Sequence, residues 1–159
     1  MKRLIFIALA IVSSISLVGQ ENGKFAFLAD THIAEGAASV EELAACIEDI
    51  NSNPEISFSI LAGDITEFGS DREIKLAKSV IDKLEKPYYI VAGNHDAKWS
   101  ESGCNTFEKV FGYGHFEFEA FGIKFVGTNS GPNMRMAPAL VPRESIVLLE
   151  NDGILPLDK

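Results

Sequence analysis

The stretch ISFSILAGDITEFGSDREIKLAKSVIDKLEKPYYIVAGNHD, residues 56–96, decides the fold. It opens on an apolar run, Ile56 to Leu61, that ends at Gly63-Asp64. It closes on a second run, Tyr88 to Ala92, that ends at Gly93-Asn94-His95-Asp96. Short apolar runs bounded by turn residues read as buried strands. Between them, Ser70 and Glu73 form a capping box, Ile74, Ala77, Ile81 and Leu84 trace one helical face, and Pro87 closes the helix. Strand, helix, strand in this order gives parallel strands joined by a right-handed crossover.

Upstream the unit repeats. Lys24 to Ala29 is an apolar run that stops at Asp30. Ser39 and Glu42 predict a second capping box, Val40, Leu43, Ile47 and Ile50 share a face, and Asn53-Pro54 ends that helix. The whole is βαβαβ, an α/β arrangement with a parallel sheet. Downstream the pattern changes. His115 to Ala120 and Ile123 to Thr128 read as a hairpin turning at Phe121-Gly122. Asn129 to Pro142 is an irregular loop, Glu144 to Leu149 starts a last helix, and the chain reaches Lys159 without another strand. The expected organisation is a targeting segment over residues 1–20, a domain over 24–150, and a tail over 151–159 that resembles an altered or cut end.

The targeting segment has a basic start, Met1-Lys2-Arg3, an unbroken apolar run from Leu4 to Val12, and small residues Ser14 and Ser16 near a cleavage point. We read it as a cleaved signal peptide, with an uncleaved anchor as the alternative. A periplasmic or extracellular location follows, with no stable membrane insertion once the signal is gone. Loss of Lys2 and Arg3 takes the formal net charge from −9 to −11. So acidic a chain is a poor binder of DNA or RNA backbones. It also repels phosphate substrates, so phosphate chemistry here requires bound cations. The two cysteines form no disulfide framework, and Cys46 reads as a small core residue.

Three polar clusters follow three strands: Asp30-Thr31-His32, Gly63-Asp64 and Asn94-His95-Asp96. Parallel strands point the same way, so these clusters meet along one sheet edge, where open α/β folds bind ligands. Carboxylate, imidazole and amide oxygens without thiolate suit Mn, Fe or Zn. Asp30 and His32, two apart, can face the same side. Asp64 can give one oxygen to each of two ions, and Gly63 and Gly93 let the chain turn so that the next side chain reaches the centre.

Asp30-x-His32, the run Gly63 to Gly69 and Gly93-Asn94-His95-Asp96 resemble, in order and spacing, the first three motifs of the calcineurin-like metallophosphoesterases. The resemblance covers about Lys24 to Leu149 and implies that family's fold, with its second half missing here. It implies hydrolysis of a phosphate ester by a hydroxide that two divalent metal ions (Mn, Fe or Zn) activate. Asp30 and His32 would bind one ion, Asp64 both, and Asn94 the second. Asn94 and His95 would contact substrate, His95 would assist the leaving group, and Asp96 would orient His95. Glu67 stands where the purple acid phosphatases carry a tyrosine ligand, which argues against that branch.

The resemblance also implies three later histidine ligands, two of them from a Gly-His-x-His motif. The chain has three histidines in all, His32, His95 and His115, and His115 comes too early to replace them. The reading is therefore a truncated gene product whose full-length form is an enzyme. The alternative is a non-catalytic remnant that binds metal weakly or serves as an interaction module. Arg135 reads as an exposed loop residue or a phosphate contact, and Trp99 and Phe107 as helix packing or pocket border.

Overall fold

The computed structural model describes residues 22–98, 100–112, 114–131 and 141–151. The expected signal peptide, most of the irregular loop and the tail lie outside these residues. In chain order the elements are β1 (Lys24–Leu28), α1 (Ser39–Ser52), β2 (Ile56–Ala62), α2 (Asp71–Ile81), β3 (Tyr88–Val91), α3 (Asn94–Lys98), α4 (Asn105–Phe111), β4 (His115–Ala120), β5 (Ile123–Thr128) and α5 (Arg143–Asn151). The expected βαβαβ unit and hairpin are both present.

β1, β2 and β3 form a parallel sheet in that spatial order, with Leu28 opposite Leu61 and Leu61 opposite Ile90. Two successive right-handed crossovers in one direction put α1 and α2 on the same face. There Leu43 and Ile47 of α1 and Ile74, Ala77 and Ile81 of α2 pack with Leu61, Ile90 and Phe107. Ile74 and Ile81 are wholly buried, each contributing about 1.5–3 kcal/mol relative to exposure.

The antiparallel β4–β5 hairpin covers the other face. Its turn, Phe121-Gly122, has positive φ at both residues, as a two-residue turn matched to strand twist requires. Phe58 of β2 anchors it. The Phe58 ring lies 5.0 Å from that of Phe118, 5.4 Å from Phe125 and 5.6 Å from Phe121. Phe25 and Phe27 of β1 point to the same side and stay exposed.

The α2 capping box is present in both directions, Ser70 Oγ accepting from the Glu73 N–H and the Glu73 carboxylate accepting from the Ser70 N–H. The one expected at Ser39 and Glu42 is not. Ala38 occupies the cap position, and Ser39 Oγ instead donates to the His32 carbonyl at 3.0 Å. That bond ties the start of α1 to the loop after β1. Cys46 is exposed rather than in the core, because it falls to one side of the Leu43–Ile47–Ile50 stripe. Cys104 is the buried one, and burial pushes its thiol pKa up to about 12. Phe107 was expected to pack from a helix, which is α4, but the sequence reading set no bounds for α3 or α4. The signals for α4 were Phe107, Val110 and Phe111 on one face and Gly112 just beyond, where φ is +90°.

Candidate active site

The three polar clusters meet at the C-terminal end of the sheet. The loops after β1 and β2 run on side by side past the strands. Asp30 N–H donates to the Gly63 carbonyl at 3.1 Å, His32 N–H to that of Asp64 at 3.0 Å, and Ile33 N–H to that of Ile65 at 2.8 Å. Gly63 N–H in turn donates to the Val91 carbonyl at 3.1 Å, joining the third loop.

Asp30, His32 and Asp64 all have positive φ, at 56°, 45° and 47°. Side chains other than glycine rarely adopt this region, and such residues concentrate at functional sites. These left-handed turns, rather than simple strand alternation, aim the carboxylates and imidazole at one another. Asp30 Oδ1 stands 3.9 Å from His32 Nε2, and the potential ligand atoms of Asp30, His32 and Asp64 lie within 4.8 Å of one another.

Two glycines make this approach possible. Gly63 turns the chain at φ +78°. Gly93 serves by absence of bulk, since a Cβ there would lie 2.2 Å from both Asp64 N and Asp64 Oδ1. A cavity of about 350 Å³ opens here, lined by Asp30, Asp64, Asn94, Thr128, Ser130 and the backbone of Gly93 among others. Its size lies at the lower end for small-ligand sites. Thr128 and Ser130, which the sequence did not single out, enter from the end of the hairpin.

Asp64 Oδ1 accepts from the His95 N–H at 2.8 Å, so motif two sets the backbone of motif three. The His95 ring stands edge-on to His32, centroids 4.7 Å apart. Its Nδ1 is 2.7 Å from the Glu67 carbonyl, an acceptor only, so Nδ1 carries the proton in that bond. In that tautomer Nε2 is the ring nitrogen that carries the lone pair.

Asp96, expected to orient His95, has its carboxylate engaged elsewhere. It is fully buried and accepts from Ile65 N–H at 3.1 Å, Thr66 N–H at 2.8 Å, Thr66 Oγ at 2.7 Å and Gly93 N–H at 2.8 Å. Three main-chain donors at the turning strand ends need an acceptor, and Asp96 is theirs. Burial raises its pKa above the usual range, with those donors pulling the other way.

Glu67 has a place the sequence did not foresee. Its Oε2 lies 2.9 Å from His32 Nδ1. The signal was its position in the motif-two loop, three residues after Asp64. Phe107 is buried in the core, as helix packing, and His115 is exposed at the start of β4. Arg135 and Trp99 fall outside the described residues.

The donor set fits a divalent metal ion. Ligand atoms held ~2.1 Å from one ion sit ~3–4 Å apart, the separation already seen between Asp30 and His32. His32 also belongs to a second group, with Glu67 and His95, whose potential ligand atoms lie within 4.8 Å of one another; here Glu67 contacts His32 directly.

The calcineurin-like phosphoesterase family model matches residues 23–147. The chain is 33% identical over 119 residues to a protein of Arcobacter nitrofigilis named "Probable glycerophosphodiester phosphodiesterase GpdQ", covering 65% of this chain and 42% of that one. It is 33% identical over 82 residues to a "Probable cyclic nucleotide phosphodiesterase" of Rhodopseudomonas palustris, covering 47% of this chain and 30% of that one. The chain thus spans less than half the length of these relatives. With its α/β unit, its hairpin and three motifs gathered at one sheet edge, the chain belongs to the calcineurin-like phosphoesterase family.

Proposed function

We propose that this chain carries the first half of the active site of an exported phosphodiesterase, with Asp30, His32, Asp64 and Asn94 as ligands for two divalent metal ions (Mn, Fe or Zn). The observation that carries this is the convergence of the Asp30, His32 and Asp64 ligand atoms within 4.8 Å at the edge of a polar cavity. Bound there, such ions neutralise phosphoryl charge and make hydroxide available near neutral pH.

The chain's own residues have separate tasks. Asn94 lines the cavity, and its neutral amide oxygen would bind ion and substrate without adding charge. His95, its Nδ1–H held by the Glu67 carbonyl, would as the imidazolium give its Nε2 proton to the departing alkoxide and return to the Nδ1–H form. Asp96 holds the second and third loops together from below and acts through their backbone. The names of both relatives support a phosphodiester rather than a monoester. Export follows from residues 1–20. Among the described residues no helix is long and apolar enough to cross a membrane.

The test is turnover of bis(p-nitrophenyl) phosphate and of an alkyl diester with added manganese. Asp64→Ala should abolish both. His95→Ala should cost the alkyl diester about 10²–10⁴-fold but the nitrophenyl diester much less, because nitrophenolate leaves without a proton. Equal losses on both substrates would remove His95 from the acid role.

A second reading has one specific observation in its favour. Among the described residues the two groups spaced for an ion, Asp30-His32-Asp64 and His32-Glu67-His95, share His32, which favours one occupied centre. A non-catalytic remnant would bind about one manganese ion saturably and turn over neither substrate.

A further inference from the structure

We propose that Glu67 is the positioning residue for both imidazoles of the site, its side chain setting His32 and its main-chain carbonyl setting His95. The inference rests on the reading of His32 as a ligand and adds the group that decides which nitrogen His32 presents.

Three observations converge. Glu67 Oε2 lies 2.9 Å from His32 Nδ1. That Nδ1 is buried and has no aligned hydrogen-bond partner. A buried ring nitrogen left in this state is costly, and a carboxylate at 2.9 Å needs only a small ring rotation to accept from it. Catalytic hydrogen bonds are often misaligned until the site is filled. Third, the Glu67 carbonyl is the 2.7 Å partner of His95 Nδ1.

The backbone makes the double role possible. Glu67 N–H donates to the Ile33 carbonyl at 3.1 Å, and Ile33 pairs with Thr66 in a parallel bridge. The residue after His32 and the residue before Glu67 are therefore bolted together. His32 is boxed between the Glu67 carboxylate and the edge-on ring of His95. A carboxylate has only lone pairs to offer, so it selects the Nδ1–H form of His32 and leaves the Nε2 lone pair facing Asp30. An outer carboxylate on a ligating histidine fixes its tautomer and raises its basicity. The carbonyl does the same for His95, with no charge.

The side-chain and main-chain halves of this arrangement separate by mutation. Nitrogen-15 NMR of the histidine rings in the metal-free full chain should show His32 and His95 both as the Nδ1–H tautomer. In Glu67→Ala, His32 should lose that preference while His95 keeps it, because the carbonyl remains. In Glu67→Gln the amide oxygen still accepts, so His32 should keep the Nδ1–H form. Manganese affinity, measured by calorimetry, should fall about 10–100-fold in Glu67→Ala and less in Glu67→Gln. A wild-type His32 in the Nε2–H form overturns the proposal. So does a His32 tautomer unchanged in Glu67→Ala, or an equal loss of preference at both rings. The wild-type spectrum decides even where a variant fails to fold. A wild-type chain with the expected tautomers and no manganese binding would instead sink the metal reading and leave the role of Glu67 standing.

Discussion

Asp96→Asn removes one charge and one acceptor from the most constrained polar group in the described structure. The carboxylate serves four donors, two on each oxygen: Thr66 N–H and Thr66 Oγ on Oδ1, Ile65 N–H and Gly93 N–H on Oδ2. An amide keeps one of these oxygens. Turned toward Ile65 and Gly93, its NH₂ leaves both of their N–H groups without an acceptor; turned toward Thr66, it leaves that N–H so, while the Thr66 hydroxyl can accept from it. Hydrogen bonds to charged groups contribute about 1.5–3 kcal/mol each, so losing two sets a ceiling of about 3–6 kcal/mol. Part of this is returned, because the amide no longer buries a charge, and the raised pKa of Asp96 shows that desolvation dominates there. A net loss of about 2–4 kcal/mol is expected. Asp96→Ala, which leaves all four donors empty, should lose about 3–5 kcal/mol. The assay is urea unfolding of the metal-free chain followed by far-UV circular dichroism, comparing midpoints at unchanged slope. Asp96→Asn within about 0.5 kcal/mol of wild type would refute the reasoning, since that is the range of an ordinary surface substitution.

Phe58→Ala should destabilise the chain by about 3–5 kcal/mol in the same assay, because Phe58 is the ring under Phe118, Phe121 and Phe125 and leaves a cavity between sheet and hairpin. A loss below about 1 kcal/mol would mean that the hairpin does not rest on that face. For the thiols, one equivalent should react with Ellman's reagent in the native chain at pH 8 and two in denaturant, since Cys46 is exposed while Cys104 is buried with its pKa pushed up to about 12. Two fast native thiols would contradict the burial of Cys104.

How far the sequence could be read follows from what each signal depends on. Strands and the two long helices were legible because their apolar residues are periodic over a turn or more, a local property. The bounds of β4 and β5 came out as expected, since Phe121-Gly122 is a turn with its own chemistry. The α2 capping box was legible because Ser70 and Glu73 meet each other at the local spacing, even though Glu73 also accepts from the Phe68 N–H. At Ser39 the same pattern misled, because the hydroxyl found the His32 carbonyl seven residues upstream. Cys46 misled because one position off the helical stripe decides burial. At the site, the residue types named the chemistry and the parallel topology named the edge, but partners across loops were invisible. Asp96 was taken as a companion of the neighbouring His95. Which donors it meets depends on how the Ile65-Thr66 turn sits against Gly93, about thirty residues apart in sequence. Glu67 was noticed only for the residue it replaces in a related branch.

These partners explain how a site can be built from strained parts. Asp30, His32 and Asp64 each occupy the left-handed region, and a residue held in such a conformation costs of order 1–3 kcal/mol. None is anchored independently. Asp30 and His32 donate to the carbonyls of Gly63 and Asp64, Asp64 accepts from His95, and Asp96 gathers the backbone of Ile65, Thr66 and Gly93. Each strained residue is thus held by the loop that carries the next one. The positions of the ligands are a joint property of three loops, so a change in any loop moves the whole set. This is why the three motifs carry weight together and little alone. It also explains why Asp96, which can reach no ion from its buried place beneath the loops, belongs to the site as fully as the residues that face the cavity.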